Sequence, residues 1–173
     1  MQMTVPLIRI YSDAELPRSQ QAKLDDLFKV QFGHTSYHWA RPQWHVLTSF
    51  DAVLVSYLRI FERTISVGEQ TLRVAGVGGV MTLPEWRQRG LARITLLRAA
   101  EFMRNELRSD FALLLCREEV APVYAKLGWE IVAGPTTFEQ PTGRATYPHH
   151  TMVLRYAARA WPSGPIDLCG LPW

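Results

Sequence analysis

The spacing of apolar and polar side chains divides the start of the chain into a strand, a helix and a loop. Residues 5–11 alternate well enough to predict a strand. Residues 14–31 carry apolar side chains at helical spacing, and Asp13 is placed to cap the amino end of that predicted helix. Residues 32–44 are aromatic and rich in His, so we expect a loop there.

Three strands and a long helix follow in the central part of the sequence. The strands are predicted at 45–50, 52–66 and 71–82, and the short breaks between them favour an antiparallel meander. Residues 90–107 show the clearest helical periodicity of the chain.

The remaining sequence predicts two strands around a short helix, followed by a Pro-rich extension. Residues 111–116 are typical of a buried strand, residues 118–127 of a short helix, and residues 129–133 of another strand. The 39 residues from Pro135 onward contain six prolines, so we expect one strand at 151–156 and a tail wrapped on the surface. The element order predicts an α+β fold with a mostly antiparallel sheet, not a doubly wound one.

Composition is that of an ordinary globular protein. The 173 residues suit one domain, and 47% hydrophobic with 20% charged residues argues against disorder. The longest run of apolar residues and glycines, Val74–Met81, has eight residues, whereas a membrane-spanning helix needs about 20. The first residues do not resemble a secretory signal, so we expect no membrane association. Two cysteines 53 residues apart form no disulfide framework, which favours a cytoplasmic protein.

Charge indicates an affinity for phosphate but not for nucleic acid. The net charge is +3, and sixteen of the 19 basic residues are Arg, whose planar fork can donate two parallel hydrogen bonds. The arginines are dispersed and the excess is small, so no nucleic-acid partner is expected. The five His residues have no ligand spacing with one another, with Cys or with carboxylates, so no metal site is predicted.

Residues 80–93 (VMTLPEWRQRGLAR) carry the sharpest local pattern, since a predicted strand ends near Thr82 and a predicted helix begins near Gly90. The unpaired N–H groups and the dipole of a helix start favour an anion, and the small Gly90 and Ala92 let it approach the backbone. The segment therefore predicts a pyrophosphate site, although it contains neither a Walker loop nor a GxGxxG motif. Three cations flank it: Arg87, Arg89 and Arg93.

Two motifs resemble signatures of the GNAT N-acetyltransferase superfamily. Residues 87–92 (RQRGLA) are similar to its (Q/R)xxGx(G/A) loop, which holds the pyrophosphate of acetyl-CoA. Residues 123–129 (VYAKLGW) resemble its second signature, an aromatic residue before a Leu-Gly-aromatic turn. The resemblance implies a GNAT-type mixed sheet flanked by helices and one acyltransferase domain over residues 1–173. Within it, we expect an acceptor-side half, an acyl-CoA-binding core and an acceptor-side strand and tail, at residues 1–70, 71–133 and 134–173.

The resemblance also implies roles for individual residues. The backbone of Val80, Met81 and Thr82 would pair with the pantetheine arm and stabilise the oxyanion. Tyr124 would protonate the departing CoA thiolate. The amine would attack the thioester directly, because no Cys or Ser stands in a nucleophile motif. The pyrophosphate would be held by Arg87, Gln88, Arg89, Gly90, Leu91, Ala92 and Arg93.

From about residue 71 onward the chain more closely resembles the aminoglycoside 2′-N-acetyltransferases. The matching segments are Trp86-Arg87, residues 124–129, residues 134–137 with 141–143, and Trp173.

Carboxylates that this branch uses to bind polycationic sugars are missing. The strand position expected to carry Glu is Gly78, and no acidic residue lies between Asp26 and Asp51 or between Glu139 and Asp167. A polycation would lose Coulomb attraction at such a rim. We therefore expect a small-molecule amine that is neutral, aromatic or anionic.

Several assignments stay open at this stage. Candidate acceptor contacts are Trp39, His150 and Trp173, with the Trp173 terminal carboxylate or Asp167 as an anchor for the amine. His149 or His150 is a candidate base. The alternatives to this function are aminoglycoside acetylation, giving antibiotic resistance, and a non-catalytic CoA-binding module. A homodimer is left open, since exposed sheet edges of this fold commonly pair.

Overall fold

The computed structural model describes residues 5–33 and 35–173, so His34 of the predicted loop lies outside the described residues. In the described part, the helices are α1 (Arg18–Phe32), α2 (Leu91–Asn105) and α3 (Ala121–Ala125), with a short 3₁₀ turn at Pro84–Trp86. The strands there are β1 (Leu7–Ser12), β2 (Trp44–Phe50), β3 (Val53–Val67), β4 (Gln70–Thr82), β5 (Phe111–Cys116), β6 (Glu130–Ile131), β7 (Thr136–Gln140), β8 (Gly143–Thr146), β9 (His150–Arg155) and β10 (Ile166–Asp167).

The strands form one mixed sheet in the order β6-β9-β5-β4-β3-β10-β7-β8. The first part of β3 also pairs with β2, which in turn pairs with β1. Among the described strands, only β4 with β5 and β10 with β7 run parallel. The predicted α+β fold with a mostly antiparallel sheet is confirmed.

A β-bulge bends β4 in its second half. Tyr57 pairs with Met81, but Arg59 pairs with Gly78, so β4 has one residue more than β3 between these pairs. Gly79 lies in the bulge with φ +59°, a left-handed conformation that glycine adopts without strain. Such a bulge disrupts the ladder and changes the direction of the strand.

Strands β4 and β5 separate next to this bulge. They pair from Val74 with Phe111 to Val77 with Leu114, and the described ladder stops there. β5 continues its pairing with β9 as far as Cys116 and His150. The two central parallel strands therefore diverge and leave a wedge between them.

Apolar side chains fill both faces of the sheet. Helix α2 buries Leu96, Ala99 and Met103 against one face, as its helical periodicity predicts. Full burial of each Leu or Met side chain is worth roughly 1.5–3 kcal/mol. The other face is covered by a second cluster that includes Phe61, Phe138 and Trp173.

Two predictions about local structure are wrong. Helix α1 begins after Pro17 rather than at Asp13, whose carboxylate instead accepts a hydrogen bond from His45. The residues after Pro135 are not a surface tail with one strand, because β7, β8 and β10 all join the sheet. Within the described residues, every helix is too short or too polar to cross a membrane.

Candidate active site

A cavity of about 590 Å³ lies where β4 and β5 separate. One wall is the bulged part of β4, from Val77 to Val80, and the opposite wall is the end of β5, from Leu114 to Cys116. The rest is mainly aromatic: Phe28, Phe32, Tyr37, Trp39, Phe61, Tyr124, Tyr147 and Trp173. An apolar wedge of this kind can receive a slender acyl chain beside an aromatic acceptor.

The start of α2 presents an open anion-binding loop beyond the end of β4. Gly90 caps the helix at φ +74°, and a Cβ built on it would meet no atom within 4 Å. The first backbone hydrogen bond of α2 runs from the Ile94 N–H to the Gly90 carbonyl, so the N–H groups of residues 91–93 have no partner within the helix. These donors, with the helix dipole, suit a pyrophosphate.

Aromatic stacking holds this loop in place. Trp86 stacks on Phe50 with ring centroids 5.2 Å apart, and the Arg89 guanidinium lies 4.9 Å from the Trp86 ring centroid. Arg87 Nε donates a 3.1 Å hydrogen bond to the Thr82 carbonyl, which ties the loop to the end of β4. Of the predicted β4 contacts, Val80 lines the cavity, while Met81 and Thr82 continue the strand towards the loop.

Tyr124 lies in α3 and faces the cavity. Its ring packs edge-on against Trp129 with centroids 6.3 Å apart. Burial raises the pKa of the phenol well above its ordinary value, and the neighbouring Cys116 and Tyr147 add to this effect. The hydroxyl is therefore protonated at neutral pH, as a proton donor must be.

Cys116 also faces the cavity, but it is a poor nucleophile. Burial raises the pKa of its thiol to about 11. Its sulfur lies 3.6 Å from Met152 Sδ, within the core. Because the thiolate is the reactive form, this cysteine does not suit a covalent acyl intermediate.

Trp173 lines the cavity and is held there by contacts with the central strands. Its indole stacks on Phe61 at 5.8 Å, and its Nε1–H donates to the Leu113 carbonyl. A Cβ on Gly76 would lie 2.3 Å from the indole, and a Cβ on Gly78 would lie 2.7 Å from the Trp173 carbonyl carbon. The glutamate expected at position 78 in the aminoglycoside branch therefore has no room here.

The other predicted acceptor residues separate into two groups. Trp39 lines the cavity, and its Nε1–H donates to Thr35 Oγ1 over 3.2 Å. His150 begins β9, where it pairs with Cys116, and the histidine that lines the cavity is His149. Asp167 pairs with Arg144 and does not line the cavity.

Sequence reasoning missed a buried polar chain beside the cavity. Arg59 lines the cavity wall, and its Nε donates to the Tyr57 hydroxyl over 3.2 Å. That hydroxyl lies 2.6 Å from Nδ1 of His45, whose Nε2 lies 2.9 Å from Asp13. A single charged residue inside the apolar strand sequence SYLRIF was the signal that could have drawn attention to it.

Among the described residues, no group of three His, Cys, Asp or Glu side chains is arranged to hold a metal ion.

Solved structures share the fold at low sequence identity. Escherichia coli ElaA superimposes with a TM-score of 0.67 at 16% identity, covering 87% of this chain and 100% of that one. The E. coli GNAT family N-acetyltransferase YhbS, solved in complex with CoA, gives 0.64 at 16% identity over 99% and 97% of the two chains. A GNAT family acetyltransferase from Brucella melitensis, in complex with acetyl-CoA, gives 0.59 at 11% over 92% and 94%.

Family membership rests on the sequence match. No curated protein matches the sequence at a significant level. The family model for the acetyltransferase (GNAT) domain matches residues 24–132, more than half of the chain. That range includes the bulged β4, the loop before α2 and Tyr124. The chain therefore belongs to the GNAT acetyltransferase family.

Proposed function

We propose that this protein is an acetyl-CoA-dependent N-acetyltransferase that acts on a small-molecule amine other than a polycation. The observation that carries the proposal is the wedge between β4 and β5. It has a partly buried Tyr124, whose raised pKa keeps the phenol protonated, on its wall and the open start of α2 beyond its end.

The donor would lie along the bulged end of β4. Residues 87–93 fit its pyrophosphate, because they combine unpaired N–H groups, a glycine with open space above it, and three arginines. The backbone near Val80 would pair with the pantetheine arm as an added strand does. A backbone N–H there would stabilise the negative charge that develops on the thioester oxygen.

The reaction would be a direct transfer. The neutral amine nitrogen attacks the thioester carbon, so a C–N bond forms and the C–S bond breaks. The proton lost by nitrogen passes to water at the rim of the cavity, where the exposed His149 lies. Tyr124 gives its proton to the leaving thiolate and regains one from solvent. The raised pKa of the Cys116 thiol supports a route without an acyl-enzyme.

The cavity favours an acceptor that is not a polycation. Its walls are largely aromatic, and the charged side chains that line it are two arginines, Arg59 and Arg117, and one glutamate, Glu119. Gly78 cannot be replaced by Glu without displacing Trp173. A multiply charged amino sugar would meet repulsion here rather than attraction.

The test is thiol release from acetyl-CoA with a panel of amines. The panel contains an aminoglycoside, a polyamine, amino acids, aromatic amines and a lysine peptide. We expect turnover with an aromatic or anionic amine, and a loss of about 10²–10⁴-fold in kcat for Tyr124→Phe, since proton donation is typically worth that much. Tyr156→Phe is the matched control, because Tyr156 is also a partly buried tyrosine but does not line the cavity.

Two outcomes would contradict the proposal. Preferred turnover of the aminoglycoside would overturn the charge argument and favour the aminoglycoside 2′-N-acetyltransferase branch. No thiol release with any amine, together with a higher Tm in acetyl-CoA, would indicate a CoA-binding module without catalysis.

A further inference from the structure

Arg59 is a buried cation in the wall of a largely aromatic cavity. Only 9% of its side chain is exposed. Its guanidinium carbon lies 3.8 Å from the centroid of the Phe28 ring, and its Cδ would lie 3.3 Å from a Cβ on Gly79. A buried charge is costly unless a partner compensates it, so the partners of Arg59 decide its role.

One hydrogen bond fixes the Nε end of this guanidinium, and the Nη end has only an ion pair at longer distance. Nε donates to the Tyr57 hydroxyl, which is itself held by the buried His45. Within residues 5–33 and 35–173, the two Nη atoms make no hydrogen bond, and Nη2 forms an ion pair with the half-exposed Asp25 at 3.8 Å from its Oδ1. Arg63 lies four residues further along β3. Unlike Arg59, it uses Nη1 to donate hydrogen bonds to the carbonyls of Leu168 and Leu171.

The Nη groups, which lack a hydrogen bond among the described residues, belong to a residue beside the expected site of acetyl transfer. Arg59 pairs across the ladder with Gly78, beside the bulge at which β4 leaves β5. An anionic group bound by Arg59 would therefore be near the amine under attack. An amino acid, with its carboxylate on the carbon next to the amine, has this spacing.

We propose that the acceptor is an α-amino acid with an aromatic side chain, and that Arg59 binds its carboxylate. The inference rests on the proposed acetyltransferase function and specifies its substrate. The guanidinium fork matches a carboxylate in a bidentate way. The aromatic part of the acceptor would lie against Phe28, Phe32, Tyr37 and Trp39, which form the adjoining wall.

Activity with matched acceptors tests the inference directly. We compare acetylation of phenylalanine with that of phenethylamine, which lacks only the carboxylate. We expect kcat/KM to be at least about tenfold higher for phenylalanine, as a charge-assisted hydrogen bond allows. Arg59→Gln should remove that preference by raising KM for phenylalanine about 10–100-fold, with little change for phenethylamine. Arg73→Gln, on the exposed side of β4, is the control and should keep the preference.

A binding measurement separates failure of this inference from failure of the proposed function. N-acetylphenylalanine should raise the Tm of the wild-type protein more than N-acetylphenethylamine does, and Arg59→Gln should abolish the difference. This readout needs no turnover. Arg59→Lys keeps the charge without the fork, and it serves if the Gln variant does not fold.

Equal activity and equal binding for both pairs of compounds would overturn the inference and leave the acetyltransferase intact. Product binding that needs Arg59, without turnover of any amine, would support the carboxylate site and contradict the enzyme. An Arg59 variant that is destabilised but keeps the preference would show that the residue is structural.

Discussion

At the scale of single residues, the notable feature is a row of polar groups inside an apolar sheet. Asp13, His45, Tyr57 and Arg59 form a hydrogen-bonded chain from the surface to the cavity. If His45 carries its proton on Nε2, it donates to Asp13 and accepts from the Tyr57 hydroxyl, so both ring nitrogens of His45 have a hydrogen-bond partner. Burial raises the pKa of Tyr57 to about 12, so this phenol keeps its proton.

This chain makes stability depend on pH through His45. Burial lowers the pKa of His45, although Asp13 raises it in part, and the charges of Arg59 and Asp25 act in opposite directions. The unfolded protein, with a His pKa near 6.5, then binds the proton more readily than the folded one. The free energy of unfolding should therefore fall as the pH drops below about 6.5.

Urea denaturation between pH 5 and pH 8 checks this expectation. His45→Gln should lower stability at pH 8 but flatten the pH dependence. His38→Gln, which replaces an exposed histidine of the 35–43 loop, should leave the slope unchanged. An identical slope in the His45 variant and in the wild type would show that other groups control the acid side.

At the scale of elements, the loop between β4 and α2 is organised by its own side chains. Trp86 stacks on Phe50 and supports Arg89, while Arg87 binds the end of β4. The loop is therefore held by contacts within the protein that need no ligand. Preorganisation of this kind lowers the entropic cost of binding.

Replacement of Arg89 with Ala should weaken CoA binding about tenfold, as loss of one charge-assisted contact implies. The affinity for pantetheine, which has no pyrophosphate, should not change. Arg98→Ala is the control, since Arg98 lies on α2 and pairs only with Glu101 among the described residues. Isothermal titration calorimetry with both ligands measures the difference. An equal loss for CoA and pantetheine would mean that the variant disturbs β4 rather than the phosphate contact.

The sequence predicts elements well where local pattern and tertiary structure agree. The predicted meander and the strand at 111–116 match β2 to β5 closely, because the apolar residues there are continuous or alternate. The strand β10 could not be found this way, since two residues between prolines carry no period and are held only by partners distant in sequence. The cap predicted at Asp13 failed because a tertiary partner, His45, takes that carboxylate.

The residues of the candidate site also fall into those that local sequence patterns reveal and those that only tertiary structure reveals. The loop at residues 87–93 and Tyr124 could be found from local motifs. The roles of Arg59 and Gly78 depend on which residues lie opposite them across the sheet, and the sequence does not state that register.

At the scale of the whole molecule, residues 166–173 complete both the sheet and the cavity. β10 inserts between β3 and β7, and Trp173 packs against Gly76 and Leu113 in the central strands. The segment therefore stabilises the core and shapes the acceptor side together. A change that loosens it should affect stability and acceptor binding at once.

Gly76→Ala tests this coupling, because the new methyl group would meet the Trp173 indole. We expect a loss of about 1–3 kcal/mol in the free energy of unfolding, as is usual for overpacking. In a Trp173→Ala background the same change should cost much less, since the obstructing ring is gone. Urea denaturation of the four proteins gives the coupling. Equal costs in both backgrounds would contradict the packing argument.

The insertion of β10 also has a consequence for how the chain folds. Val67 in β3 must find Ile166, and Gly76 must find Trp173, so nearly a hundred residues separate partners at the centre of the molecule. The chain must close loops of that length before any contact compensates the entropy lost, and this slows folding. Until the pairing forms, β3 and β7 have unpaired edges that other chains can extend. We expect slow refolding that competes with aggregation, and a nascent chain that cannot close its sheet until residue 166 has emerged from the ribosome.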